Sequence, residues 1–238
     1  MSCGADTRGS PYMNQRKVAE MKIAIFFPGI GYTADKPLLY YSRRIAAECG
    51  YEVRVMNYSG FPSKVKGDRK RMEESFEIAL EQSGKMLFGT DFSLYEDVLF
   101  VGKSIGTAVA AKIASENALN ASGNAAGIMT GSAPGTMSEN AGEAAEVSAE
   151  GHIRLILYTP LEDTFAYPFE KAIAFTGTAD PWVGGEKSRI PDLCDERGIP
   201  CFRIYGGNHS LESGEALADI RGLCKVMEET RRFIRFYR

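Results

Sequence analysis

Six short segments rich in aliphatic, β-branched and aromatic residues recur along the chain, and stretches with helical patterning separate most of them. The segments are 22–27, 52–57, 98–101, 153–158, 172–176 and 201–205, and the helical stretches cover about 37–49, 69–87, 104–118, 186–197 and 214–236. A strand that is apolar throughout needs cover on both faces, and strands joined through helices run parallel. The pattern therefore predicts an α/β protein: a three-layer sandwich with a mainly parallel six-stranded sheet between two layers of helices. With 238 residues, 44% of them hydrophobic, the chain can bury one substantial core. In the last helix Leu217, Ile220, Cys224, Met227 and Ile234 fall close to one face and read as its core stripe. Arg231, Arg232, Arg235 and Arg238 crowd its end, where positive charge suits the helix dipole, and read as a solvated terminus.

Two segments stand apart. Residues 1–20 are polar and lack the apolar run of a secretion signal, so they read as a flexible extension ahead of a single domain over 21–238. Residues 117–151 are rich in Ala, Gly, Ser, Asn and Glu and hold few large apolar side chains. Such composition buries too little surface to offset the entropy of ordering it, so it reads as a low-complexity insertion, with a lid as the lesser alternative.

The remaining composition narrows the function classes. A net charge of −3 gives no electrostatic case for nucleic acid or an anionic membrane as a partner. No apolar run approaches the roughly 18 residues needed to span a bilayer. The five cysteines (Cys3, Cys49, Cys194, Cys201 and Cys224) share no metal-ligand spacing. Reduced thiols in a cytoplasmic protein are the simplest reading, with Cys194 and Cys201 as small core residues. No metal and no cofactor is expected.

The third apolar segment runs directly into Gly102-Lys103-Ser104-Ile105-Gly106 and then into a helix of small residues. A serine on a sharp strand-to-helix turn is held in the open, where its hydroxyl can attack a carbonyl. The two glycines permit that turn, because a Cβ at either would crowd the neighbouring strand or helix. Gly-Lys-Ser also ends a phosphate-binding loop, but that loop needs a glycine where Asp97 stands, and residues 98–101 belong in a sheet. Ser104 is the candidate nucleophile.

A serine nucleophile needs a base and a carboxylate to orient it. His209 follows the last strand segment and so belongs at the same sheet edge as Ser104, where parallel folds place their sites. His152 precedes a strand, at the opposite edge, and reads as an exposed loop residue. Asp180, just after the fifth segment, is the acid candidate, with Glu162 and Asp163 behind it. An aspartate before proline is also a common turn residue.

The chain order Ser, Asp, His, each at a strand end, resembles the α/β-hydrolase superfamily. The motifs that carry the likeness are Pro28-Gly29-Ile30-Gly31, Gly102-Lys103-Ser104-Ile105-Gly106, Gly177-Thr178-Ala179-Asp180 and Gly207-Asn208-His209. It covers nearly the whole chain from Met21 onward, apart from the insertion. The resemblance implies strand order 4-3-5-6-7-8 in the family's numbering, the family's first two antiparallel strands being absent. It implies a Ser104, Asp180 and His209 triad and an oxyanion hole from the Ile30 and Ile105 amides. The activity implied is hydrolysis of a small-molecule carboxylic ester or thioester. An acyltransferase or peptidase with the same triad, and a non-catalytic binding module on this fold, are the alternatives. Residues 159–168 are too short for a large helical cap, so the site should be open. Gly31, Leu161, Phe165 and Trp182 are expected at the substrate, with Tyr167 near the rim. Lys103 replaces the commoner His or Tyr and reads as the partner of a nearby carboxylate, without a catalytic part.

Overall fold

Phe26 and Phe27 are adjacent in sequence and both fully buried, yet their side chains enter different cores. Period-two alternation in a strand covered on both faces requires this. In the computed structural model, which describes residues 21–127 and 153–237, six such strands form one parallel sheet. They are β1 (Lys22–Phe27), β2 (Glu52–Val55), β3 (Asp97–Lys103), β4 (Ile153–Tyr158), β5 (Ala172–Gly177) and β6 (Cys201–Ile204). Their order across the sheet is β2-β1-β3-β4-β5-β6, the expected order counted from this chain's own first strand. The expected N-terminal extension, most of the expected insertion, and His152 lie outside the described residues.

Among the described residues five α-helices cover the sheet: α1 (Pro37–Glu48), α2 (Arg69–Leu87), α3 (Ile105–Gly127), α4 (Ile190–Asp195) and α5 (Ala216–Phe236). Ile23, Ile25, Phe27, Val98, Phe100, Leu155 and Leu157 share one core with α2, α3 and α4. Ala24, Phe26, Leu99, Val101, Ile156 and Tyr158 share the other with α1 and α5. Cys194 is buried in the first core and Cys201 packs against it, as expected of core thiols.

Three helical expectations are corrected. The helix after Ser104 continues to Gly127 rather than stopping near 118, with Ala121, Ala125 and Ala126 favouring it against the poorer helix formers Asn120, Gly123 and Asn124. The helix expected over 186–197 is instead a 3-10 turn at Gly185–Lys187 followed by the short α4. Pro191 stands in the first turn of α4, where the missing N–H costs nothing, and it would break a helix already under way. On α5, Leu217 and Ile220 are more than 60% exposed. Its buried face is Val226, Thr230, Phe233 and Ile234, because only the later turns lie against the sheet and α1.

Two polar links tie the layers together. Arg154 on β4 pairs with Asp97 on β3 at 2.7 Å with both side chains almost wholly buried. Its remaining donors reach the Tyr51 hydroxyl and the carbonyls of Phe233, Ile234 and Tyr237 at the end of α5. Nearby, the buried Tyr158 hydroxyl bonds both Ser42 of α1 and Thr230 of α5. No described helix is long and apolar enough to cross a membrane.

Candidate active site

β3 ends at Lys103, α3 begins at Ile105, and Ser104 alone makes the turn. Its φ is +56°, a left-handed conformation that stores about 1–3 kcal/mol of strain in a non-glycine residue. Surrounding contacts hold it there. The Ser104 N–H donates to the Tyr158 carbonyl at 2.9 Å, and the Ser104 carbonyl accepts from Thr107 N–H at 2.9 Å and from the Thr107 hydroxyl at 2.6 Å. The glycines are sterically required. A Cβ on Gly106 would lie 2.0 Å from the Phe27 carbonyl oxygen, and one on Gly102 would lie 2.6 Å from the Thr107 Cα. The helix therefore packs directly on the end of β1, which aims the serine across the carboxyl edge of the sheet.

Three residues predicted from sequence meet at that edge. His209 Nε2 is 2.8 Å from Ser104 Oγ, and His209 Nδ1 is 2.7 Å from Asp180 Oδ2. Asp180 is fully buried, and its other oxygen accepts from the Trp182 N–H at 2.9 Å. Gly177 brings the two loops together: a Cβ there would lie 2.1 Å from the Gly207 carbonyl oxygen. The β5 and β6 loops thus touch backbone to backbone, and the pairing Ala179 N–H to Gly207 carbonyl at 2.9 Å fixes them. Around His209 the Asn208 side chain accepts from the Ser210 and Glu212 N–H groups, closing a tight turn. The fallback acids are elsewhere. Glu162 pairs with Arg189 at 3.6 Å, and both Glu162 and Asp163 line the cleft beside Ser104 instead of meeting His209.

Burial lowers the pKa of His209 below its ordinary value of 6.5, and the positive charges of Lys103 and Lys66 act the same way. The hydrogen bond and charge of Asp180 oppose them. The balance favours the neutral imidazole, the form that can accept a proton. Trp182 stacks on the ring with centroids 5.1 Å apart and limits its rotation.

A cleft of about 640 Å³ opens beside Ser104 on the α2 and α3 side, and Ile105, Ala108, Leu161, Tyr167 and Trp182 contribute to its wall. Of the residues expected at the substrate or the rim, Leu161, Tyr167 and Trp182 line this cleft. Phe165 does not: it is buried in the core near Phe169, and its carbonyl accepts from Arg197. Gly31 is an exposed turn residue with φ of +67° and also lies outside the cleft. Sequence reading missed the opposite wall: Val65, and Met72 and Phe76 of α2, with Phe76 stacked on Tyr167. Their signal was an apolar spacing on α2 indistinguishable from a core stripe.

Lys103 also departs from expectation. No carboxylate lies within ion-pair distance of it among the described residues; its ammonium sits 4.9 Å from the Tyr32 ring centroid, and the residue is 1% exposed. Among the described residues, no group of three or more His, Cys, Asp or Glu is placed to hold a metal ion.

No family model and no curated protein sequence matches the chain. Solved structures do resemble it. Est1E from Butyrivibrio proteoclasticus superposes with a TM-score of 0.56 at 10% identity, covering 92% of this chain and 89% of its own. Dienelactone hydrolase from Anabaena variabilis superposes with a TM-score of 0.53 at 11% identity, covering 90% of this chain and 85% of its own. At such identities the likeness speaks for the fold. Together with the sheet order and the strand-turn-helix at Ser104, it shows that this chain has the α/β-hydrolase fold, with no large cap among its described residues.

Proposed function

We propose that the protein is a serine hydrolase that cleaves a carboxylic ester or thioester through an acyl-enzyme on Ser104. The observation that carries this reading is the continuous hydrogen-bonded chain from Ser104 Oγ through both nitrogens of His209 to the buried Asp180. A serine, an imidazole and a carboxylate in that contact are suited to nucleophilic attack on an acyl carbon. His209 Nε2 takes the hydroxyl proton as Ser104 Oγ attacks the carbonyl. Asp180 accepts from Nδ1–H, holding the ring in the right tautomer and stabilising the imidazolium. The imidazolium then protonates the leaving alkoxide or thiolate. Water, deprotonated by His209, attacks the acyl-enzyme and releases the carboxylic acid.

The oxyanion is assigned to the N–H groups of Ile105 and Ile30. Ile105 is the first residue of α3, so its N–H is one of the helix donors without an intrahelical partner. Ile30 lies in the turn closed by the Tyr32 N–H to Gly29 carbonyl bond, which leaves its own N–H out of that bond. Each such donor contributes roughly 3 kcal/mol to the transition state. The cleft beside Ser104 takes the rest of the substrate. Apolar and aromatic side chains (Met72, Phe76, Leu161, Trp182) suit an aromatic or medium-length acyl group, and charged ones (Asp68, Arg69, Glu73, Glu77, Glu162, Asp163) line the same cleft. Est1E, similar in fold, has been seen with ferulic acid bound, so a feruloyl ester belongs among the substrates to try.

The test is covalent labelling by a fluorophosphonate, alongside hydrolysis of p-nitrophenyl esters of increasing chain length and of methyl ferulate. The wild-type protein should label and turn over at least one ester, and Ser104→Ala should do neither. Equal labelling of the two proteins would remove Ser104 from the mechanism. Labelling without turnover of any ester, but with transfer to added amines or alcohols, would favour an acyltransferase.

A further inference from the structure

Asp180 holds two rings at once. Its Oδ2 lies 2.7 Å from His209 Nδ1, and its Oδ1 accepts from the Trp182 N–H at 2.9 Å. The Asp180 carbonyl accepts from the Gly185 N–H at 2.8 Å, which closes the turn that carries the indole. Trp182, the only tryptophan in the chain, then lies against the imidazole with centroids 5.1 Å apart and planes 24° from parallel. That is an offset stack, which sets the imidazole against the π-face of the indole and not its edge. The His209 side chain is 16% exposed. An aliphatic residue at position 182 would also cover the imidazole and would only make charging it harder, because burial disfavours an ionised ring. An indole does something more. Its face carries the negative side of the ring quadrupole and attracts a cation more strongly than any other aromatic side chain.

We propose that Trp182 is a positioning residue acting through His209: the indole face stacked on the imidazole favours the imidazolium that forms as Ser104 gives up its proton. The proton leaves Ser104 Oγ for Nε2, and from Nε2 it passes to the leaving group; in deacylation it comes from water and returns to Ser104. Each half of the cycle therefore passes through the cation. A face that holds the cation more strongly than the neutral ring lowers both barriers, since the gain is realised only once the proton has moved. The other groups that face His209 come from four places. Ser104 meets Nε2 and Asp180, after β5, meets Nδ1. Lys103 ends β3, and Lys66, ahead of α2, places its ammonium 5.9 Å from the same indole centroid. Burial most of all, then Lys103 and Lys66, oppose protonation of the imidazole, and the hydrogen bond and charge of Asp180 favour it. The inference rests on the hydrolase reading for its consequence in rate, whereas the effect on the imidazole needs no substrate.

The experiment follows the His209 ring protons by NMR against pH in protein carrying His152→Ala, which leaves one imidazole in the chain. The decisive comparison is between Trp182→Phe and Trp182→Leu in that protein, with Trp182→Met in place of leucine should the leucine protein not fold. Phenylalanine and leucine cover the imidazole to a similar extent, but only phenylalanine offers it a π-face, and melting temperature confirms folding. The His209 midpoint should lie higher with phenylalanine than with leucine by about half to one pH unit, as for a cation–π contact at a partly buried site. On the plateau of the pH profile, kcat for a short-chain ester should be about three- to tenfold higher with phenylalanine, with KM changed less. With Trp182 in place, indole fluorescence excited beyond the tyrosine absorption should fall as the pH drops through the His209 midpoint, because an imidazolium in contact quenches it. A merely structural Trp182 would change melting temperature and leave the two midpoints equal. Equal midpoints, or fluorescence that does not follow the His209 titration, overturn the proposal. Because neither titration needs turnover, failure of the hydrolase reading would appear in the labelling assay alone.

Discussion

Arg154→Met is the perturbation whose cost the structure specifies most fully. The guanidinium is 3% exposed and its Asp97 partner 8%. Its donors reach both Asp97 oxygens, the Tyr51 hydroxyl and three carbonyls at the end of α5. Methionine fills much of the volume but leaves the carboxylate buried, with the Tyr51 hydroxyl still donating to it. Breaking a buried ion pair by removing one partner costs about 3–5 kcal/mol, because the surviving charge is uncompensated. Against a net stability of about 5–15 kcal/mol for a domain, that is a large fraction. With a urea m-value of about 2–3 kcal/mol/M, the midpoint should fall by about 1–2.5 M. The double variant Arg154→Met with Asp97→Leu removes the stranded charge and should recover a substantial part of the loss. Should the single variant unfold within about 1 kcal/mol of wild type, or the double prove no more stable than the single, the buried charge is not what the arginine balances.

Two further outcomes bear on the site. Asp180→Asn keeps the shape but withdraws the carboxylate from Nδ1, and kcat on a responsive ester should fall about 10³–10⁴-fold with KM little changed; a loss under tenfold would reassign the acid. Gly106→Ala forces a Cβ to within 2.0 Å of the Phe27 carbonyl oxygen, where backbone must yield. It should destabilise by more than the ~1–3 kcal/mol usual for overpacking, and a wild-type melting temperature would show that the helix is not packed as tightly on β1 as described.

The order of elements, and through it the edge on which chemistry gathers, was legible because both follow from local pattern. Alternation and apolar runs mark strands, parallel strands put their following loops on one edge, and Ser104, Asp180 and His209 each follow a strand. The choice of acid was narrowed but not made: Asp180, Glu162 and Asp163 all follow strands on that edge. What singles out Asp180 is the backbone contact between Gly177 and Gly207, which draws the β5 loop onto the β6 loop. The exposure of Leu217 and Ile220 likewise escaped the helical stripe, since a stripe shows which face is apolar and not how far along the helix a neighbour extends.

By itself, then, the sequence determined a doubly covered parallel sheet and a serine held out on a turn only glycines could flank. The tertiary structure alone decided which carboxylate reaches His209, that α2 supplies a cleft wall with Met72 and Phe76, and that Lys103 is buried against Tyr32 instead of paired with an acid. The physical reason is range. Backbone periodicity fixes which way a side chain points from its own strand or helix, but contacts between side chains far apart in sequence depend on sheet twist and the packing of whole layers.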